Sequence, residues 1–243
     1  MMRIKRTDTI GEIASANINT TTVFADYGID FYSKGHRTVE HVCIDNNIAI
    51  IALLEDLNAA TDQSPAGTDF SAMTVSGLTS YIVRRHHRFT EQRLVYIRNT
   101  IERVLALGGS EKEVAETKRY FAEFSVYLTV HMQHEEFIVF PAIQRLTKEK
   151  PVGKFTFSGL QEPVRSMLID HDREAEMICR FEKLAGRYQF AGHSDYAERA
   201  LYTAMWELID DLKMHMHLEN NILLPKVPNL TRLQALDTHD TGA

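Results

Sequence analysis

Two stretches of the chain repeat one another: HMQHEEFIVFP from His131 to Pro141 and HMHLENNILLP from His215 to Pro225. Both read His-Met-x-x-Glu-x-x-x-x-x-Pro, 84 positions apart. His131 and Glu135 are four residues apart, as are His215 and Glu219, so on a helix each pair shares one face, a turn apart. The rest of that face is apolar. Phe121, Phe124, Leu128 and Ile138 line up with the first pair, and Leu201, Leu208, Leu212 and Ile222 with the second. A carboxylate where a helical core wants leucine is costly unless a counter-charge or a metal ion accompanies it. Metal ligation is the chemistry to expect.

Two further segments carry histidine at matching intervals. VRRHHRFTEQ (Val83–Gln92) holds His86, and LIDHDREAE (Leu168–Glu176) holds His171. Both fit His-x-Arg-x-x-Glu, with His86, Arg88 and Glu91 in one copy and His171, Arg173 and Glu176 in the other. His86 precedes His131 by 45 residues and His171 precedes His215 by 44, as if one helical hairpin had been written twice. The ligand set is then His86, His131, Glu135, His171, His215 and Glu219, with His87 an alternative to His86 that spacing does not separate.

Four imidazoles and two carboxylates exceed what one tetrahedral zinc with an open position takes. They suit two metals sharing a carboxylate, and mixed nitrogen and oxygen ligation with vacant positions favours iron, then manganese. Ferritin-like carboxylate bundles use Glu-x-x-His, and no glutamate of this chain has histidine three residues on. The bland reading is a set of core imidazoles satisfied by glutamate across the bundle. One His–Glu pair would fit it; four segments converging at one level do not.

Other residues near these motifs read as ordinary. His134 and His217 point partly away, in solvated or supporting positions. His36 and His41 read as exposed, Tyr127 as a core aromatic, and Met132 and Met216 as gap-fillers.

Positioning these residues takes four long helices, roughly Ser76–Leu107, Ser110–Arg145, Gln161–Tyr188 and Ser194–Leu224. Each is near ~45 Å long at 1.5 Å per residue. Ser110 with Glu113 forms a capping box, Gly108-Gly109 closes the first helix, and PVGKFTFSG and FAGHS are connections. Short connections favour an up-down-up-down four-helix bundle over residues 73–230. Residues 1–60 read as a small helical domain, 61–72 as a polar linker carrying Pro and Gly, and 231–243 as a tail. The fold class is all-α.

Composition narrows the function. A formal net charge of −6 argues against a nucleic-acid footprint. No run of ~18 apolar residues suggests a membrane span, and the opening residues lack the apolar core of a signal peptide. Cys43 and Cys179 form no Cys-x-x-Cys, which fits a reducing cytoplasm. No nucleophilic triad or phosphate loop is evident, so hydrolysis is not expected.

IVRRHHR, VHMQHEEFIVFP, IDHDREAE and DDLKMHMHLENNILLP resemble the haemerythrin-like di-iron bundles, and more closely the repair-of-iron-centres (RIC, ScdA/YtfE-like) family. TIGEIASANINTTTVFADYGIDFYSKG is similar to that family's small leading domain. The resemblance implies two non-haem irons, oxo- or hydroxo-bridged, on the six residues named above, and it selects His86 over His87. It implies a cytoplasmic protein that restores iron–sulfur clusters damaged by nitric oxide or oxidants. Such a protein reacts with nitric oxide, O2 or peroxide, or donates iron to damaged clients; a homodimer is compatible with it. It gives Asp170, before the third-helix histidine, a part in shaping the site or its access path. The alternative is a haemerythrin-like sensor or carrier that binds O2 or nitric oxide without turnover. The family's leading domain carries adjacent cysteines in an Asp-Tyr-Cys-Cys-Gly-Gly-like turn. Here that turn reads Asp30-Phe31-Tyr32-Ser33-Lys34-Gly35, so any step that uses those thiols is in doubt.

Overall fold

A computed structural model describes residues 3–63, 67–108, 111–148, 158–189 and 196–227. Among these the chain is helical, with no strand and one isolated bridge between Thr9 and Thr38. The capping box at Ser110, most of the Pro151–Gly159 loop, the Phe190–Ser194 connection, the middle of the linker and the tail lie outside the described residues. Among the described residues no helix is long and apolar enough to cross a membrane.

The chain divides into two compact units. One takes the chain up to Leu78 together with the segment beginning at Met216, and the other runs from Thr79 to His215. The division falls inside an unbroken helix.

In the first unit, α1 (Ile10–Ala16) starts at a capping box in which Thr9 and Glu12 satisfy each other's backbone donors. It is followed by α2 (Thr20–Asp26), α3 (Val39–Asn46) and α4 (Ile50–Asp62). Asn47, left-handed at φ 54°, ends α3. Ile10, Phe24, Val39, Leu53 and Leu57 are fully buried and form its core.

The Asp30–Gly35 turn is held from the segment after Met216. Asn220 Nδ2 donates to the Tyr32 carbonyl and Asn221 Nδ2 to the Phe31 carbonyl, both at 2.9 Å. Gly35 has no side chain because Asn221 fills the space: a Cβ there would meet Asn221 Oδ1 at 2.0 Å. Where the family's cysteines would stand, Tyr32 is buried and Ser33 closes the turn by donating its backbone N–H to Asp30 Oδ1 at 2.8 Å.

Asn221 also reaches His217 Nδ1 at 2.9 Å, and Phe31 packs edge-on to the same imidazole. His217 is therefore buried, the supporting rather than the solvated of the two positions expected for it. Burial pushes its imidazole down to about 4. The unfolded chain, with a histidine near 6.5, binds more protons between those values, so stability is full above about pH 6.5 and falls as the pH drops towards 4. The shift corresponds to about 3 kcal/mol. Chelator-treated protein should lose that much unfolding free energy across this window, and His217→Leu should flatten the loss. An unchanged slope in denaturant titrations would refute the assignment.

The second unit holds α5 (Val75–Ile82, from Thr79), α6 (Arg88–Ala106), α7 (Glu111–His134), α8 (Phe140–Lys148), α9 (Ser158–Gln189) and α10 (Tyr196–His217, to His215). Its core is the periodic stripe that the sequence displays: Ile97, Phe124, Leu128, Phe181, Leu201, Leu208 and Leu212 are fully buried. Phe124 and Phe181 meet at 5.1 Å between ring centroids, and Tyr120 reaches from α7 to donate to the Met177 carbonyl of α9 at 2.7 Å.

Candidate metal centre

Three of the long helices change register at the residues the motifs mark. Val83–His87, Glu135–Val139 and Leu218–Leu223 are π-helical, whereas the helix carrying His171 is not interrupted. A π-turn inserts one extra residue into the ladder, and such insertions recur at functional sites. The first explains which histidine faces inward. Leu78 and Ile82 are buried, and an α-helical step of four from Ile82 reaches His86. The π-turn adds one and delivers His87, from which Thr90, Leu94, Ile97 and Ile101 follow at α-helical spacing and are buried. The second makes the same shift: Ile138, expected in the stripe, is 49% exposed, and Val139 is buried in its place.

Glu135 occupies the middle, fully buried. Its Oε1 lies 3.2 Å from His131 Nε2 and 3.4 Å from His171 Nε2. Its Oε2 lies 3.3 Å from His87 Nε2 and 3.8 Å from His215 Nε2. Each carboxylate oxygen therefore serves a different pair of imidazoles.

Two overlapping sets of buried side chains bring one ligand atom each within 4.8 Å of the others: His87, Glu135, His215 and Glu219, and His131, Glu135, His171 and Glu219. Glu219 sits one turn after His215 on the same unbroken helix and is common to both sets. Five of the six residues expected from the motifs are thus brought together. His86 is not among them: it is buried, but its Nδ1 turns to Asp211 Oδ2 at 3.1 Å, and its ring stacks on that of His215 at 5.8 Å.

Partners behind the cluster fix its rings. His87 Nδ1 meets Glu136 Oε1 at 2.8 Å, which leaves Nε2 aimed at Glu135. Asp211, bound also by Arg85 at 3.2 Å, anchors His86. Tyr127 lies parallel to His131 and donates to the Asp170 carbonyl at 2.6 Å. Metal-binding imidazoles are held by such contacts through their second nitrogen.

Sequence reasoning missed Glu174, Asp211 and Glu136. Glu174 and Asp211 carried a signal, since they stand three residues after His171 and four before His215, on the same helical faces. Glu91 and Glu176, which complete the His-x-Arg-x-x-Glu pattern, are exposed, as are His36 and His41.

The electrostatics are those of a site built for cations. Burial pushes the Glu135 carboxyl up, but the His131 charge and the approach of His131, His171 and His87 outweigh it and hold the group well below the usual carboxylate range. Burial pushes His131 down, and Glu135 and Glu174 more than offset it. Both ring nitrogens of His131, Glu135 Oε2 and both oxygens of Glu174 are buried without a hydrogen bond, at about 1–3 kcal/mol for each such group. Metal–ligand bonds of about 2.1 Å place neighbouring donors about 3 Å apart, close to the separations seen here. The donor set and its unsatisfied buried atoms fit bound metal.

Comparison with known proteins points the same way. Residues 78–227 match the model described as "Hemerythrin HHE cation binding domain", and residues 6–61 match ScdA_N, a "Domain of Unknown function (DUF542)". An "Iron-sulfur cluster repair protein YtfE" of Yersinia pestis is 31% identical over 227 residues, covering 91% of this chain and 96% of that protein. A "Probable iron-sulfur cluster repair protein" of Haemophilus influenzae is 27% identical over 228 residues, covering 90% of this chain and 96% of that one.

Proposed function

Because the chain belongs to the hemerythrin HHE cation-binding family, with an ScdA_N domain ahead of the bundle, we propose that it is a cytoplasmic iron–sulfur cluster repair protein holding two non-haem irons. The observation that carries this reading is the division of labour at Glu135, with one oxygen to His131 and His171 and the other to His87 and His215. His87, His215, Glu135 and Glu219 would hold one ion; His131, His171 and the same two carboxylates would hold the other. Relatives named for cluster repair along nearly their whole length favour repair over reversible carriage of O2 or nitric oxide.

Bound there, an iron pair supplies one-electron chemistry towards a small ligand such as nitric oxide, or is itself the cargo delivered to a damaged cluster. The chain's own part is to hold and orient. Glu136 keeps His87 Nε2 turned inward. The Tyr127 hydroxyl, tied to the Asp170 carbonyl, stays protonated, since burial raises it above its ordinary value. Phe124 and Leu128, buried two turns and one turn before His131 on α7, keep that face apolar.

Elemental analysis should find two irons per chain, and the loaded protein should reactivate an iron–sulfur enzyme inactivated by nitric oxide, whereas the chelator-treated protein should not. Two irons with no reactivation, and nitric oxide bound reversibly without nitrous oxide release, would replace repair by the carrier reading.

A further inference from the structure

Glu174 is a buried carboxyl group that the six-ligand pattern does not use. It sits one turn beyond His171 on α9, fully buried, and neither of its oxygens has a hydrogen bond. Its Oε2 lies 3.2 Å from His131 Nε2, the same distance as Glu135 Oε1 from that nitrogen. A single imidazole nitrogen offers one proton or one lone pair and cannot satisfy two carboxylates. Two carboxylate oxygens, each at ligand spacing from one imidazole nitrogen that has no hydrogen bond, are donors that a cation would satisfy. The exposed neighbour Glu176 shows the contrast: α9 had a solvent position for a carboxylate two residues away and still buries Glu174.

We propose that Glu174 is a further metal ligand, donated only to the ion on the His131 and His171 side, and that the resulting asymmetry directs the small ligand to the other ion. This rests on the two-iron reading above. The ion beside His131 then has five protein donors, His131, His171, Glu174, Glu135 and Glu219, and its partner has four, His87, His215, Glu135 and Glu219. With octahedral preferences, the second ion keeps more open positions. The surface agrees. A cleft lined by Val83, Arg84, Glu136 and Phe140 opens on the second ion's side. Two of its walls touch His87 directly, Glu136 at Nδ1 and Phe140 by ring stacking at 5.8 Å.

Glu174→Gln and Glu174→Ala, compared with native protein and the exposed control Glu176→Gln, test this by iron titration, Mössbauer spectroscopy and azide binding to the oxidised protein. Native protein should take two irons in inequivalent environments and one azide per pair. Glu174→Gln should bind its second iron more than about a hundredfold more weakly, beyond the range for a residue that only orients a ligand. Saturated with iron, it should show altered spectra and accept a second azide. Without metal it should keep the native helical content and a cooperative melt, which shows that the fold is intact. Native protein with two irons and a Glu174→Gln variant of unchanged affinity, spectrum and azide stoichiometry would overturn the ligand role of Glu174 alone. A native chain that never exceeds one iron would overturn the two-metal reading, and this inference with it.

Discussion

Glu135→Ala is expected to leave the protein unable to retain either iron through gel filtration, whereas the exposed-site control Glu176→Ala keeps both. The expectation is severe because Glu135 belongs to both halves of the cluster. Its oxygens face His131 and His171 on one side and His87 and His215 on the other, so one truncation removes an anionic donor from each ion. Glu219, also common to both sets, should show the same kind of defect. The metal-free protein should weaken too. Glu135 is held below the ordinary carboxylate range by His131, and His131 is raised by Glu135 and Glu174; removing one member of such a buried pair costs about 3 kcal/mol. A carboxylate with a depressed value stabilises the fold above its unfolded value and loses that contribution as the pH falls through the folded one. A histidine with a raised value contributes below its unfolded value and loses it as the pH rises through the folded one. The difference in unfolding free energy between native and variant should therefore narrow in strong acid. Two irons retained by Glu135→Ala, measured by elemental analysis, would defeat the bridging assignment.

The parts of the site that were legible in the sequence are those that obey helical arithmetic over long distances. The repeated His-x-x-x-Glu with its trailing proline, the 84-residue offset and the His171 interval depend only on two hairpins being alike, and they single out His131, Glu135, His171, His215 and Glu219 as candidates, which the structure brings close together. The long helices were legible for the same reason, since their apolar stripes repeat for many turns. What escaped was local. A π-turn leaves no composition signature, because it trades one ladder bond for an inserted residue at the point where the ligands must be re-aimed. Ile138 was placed inside and Val139 overlooked on that account. Glu174 escaped for another reason: Glu176 completes a pattern shared with the first helix, and a shared pattern drew more weight than the i, i+3 offset from His171 that sets the inward face. The burial of His217 depends on Phe31 and Asn221, one of them far away in the chain, and spacing within one helix carries no trace of that contact.

His87→Ala and His86→Ala, adjacent in sequence, should part company by a whole metal ion. His87 Nε2 lies 3.3 Å from Glu135 Oε2 and 3.2 Å from His215 Nε2, and Glu136 holds the ring in that pose. Its loss takes one of two imidazoles from the ion on that side, and the variant should retain about one iron per chain, as expected for a site left short of donors. His86 instead faces Asp211, with Arg85 on the other carboxylate oxygen, and supports His215 by stacking at 5.8 Å. Removing such a support weakens metal binding by about tenfold and leaves the stoichiometry intact, so His86→Ala should still load two irons when iron is in excess. The family pattern selects His86 and predicts the opposite outcome. The pair of variants therefore measures the π-turn itself. If His86→Ala loses an ion and His87→Ala does not, the extra residue between Val83 and His87 is not present when the metal is bound. If His87→Ala loses it, the insertion is the device that turns the second of two adjacent histidines into the bundle.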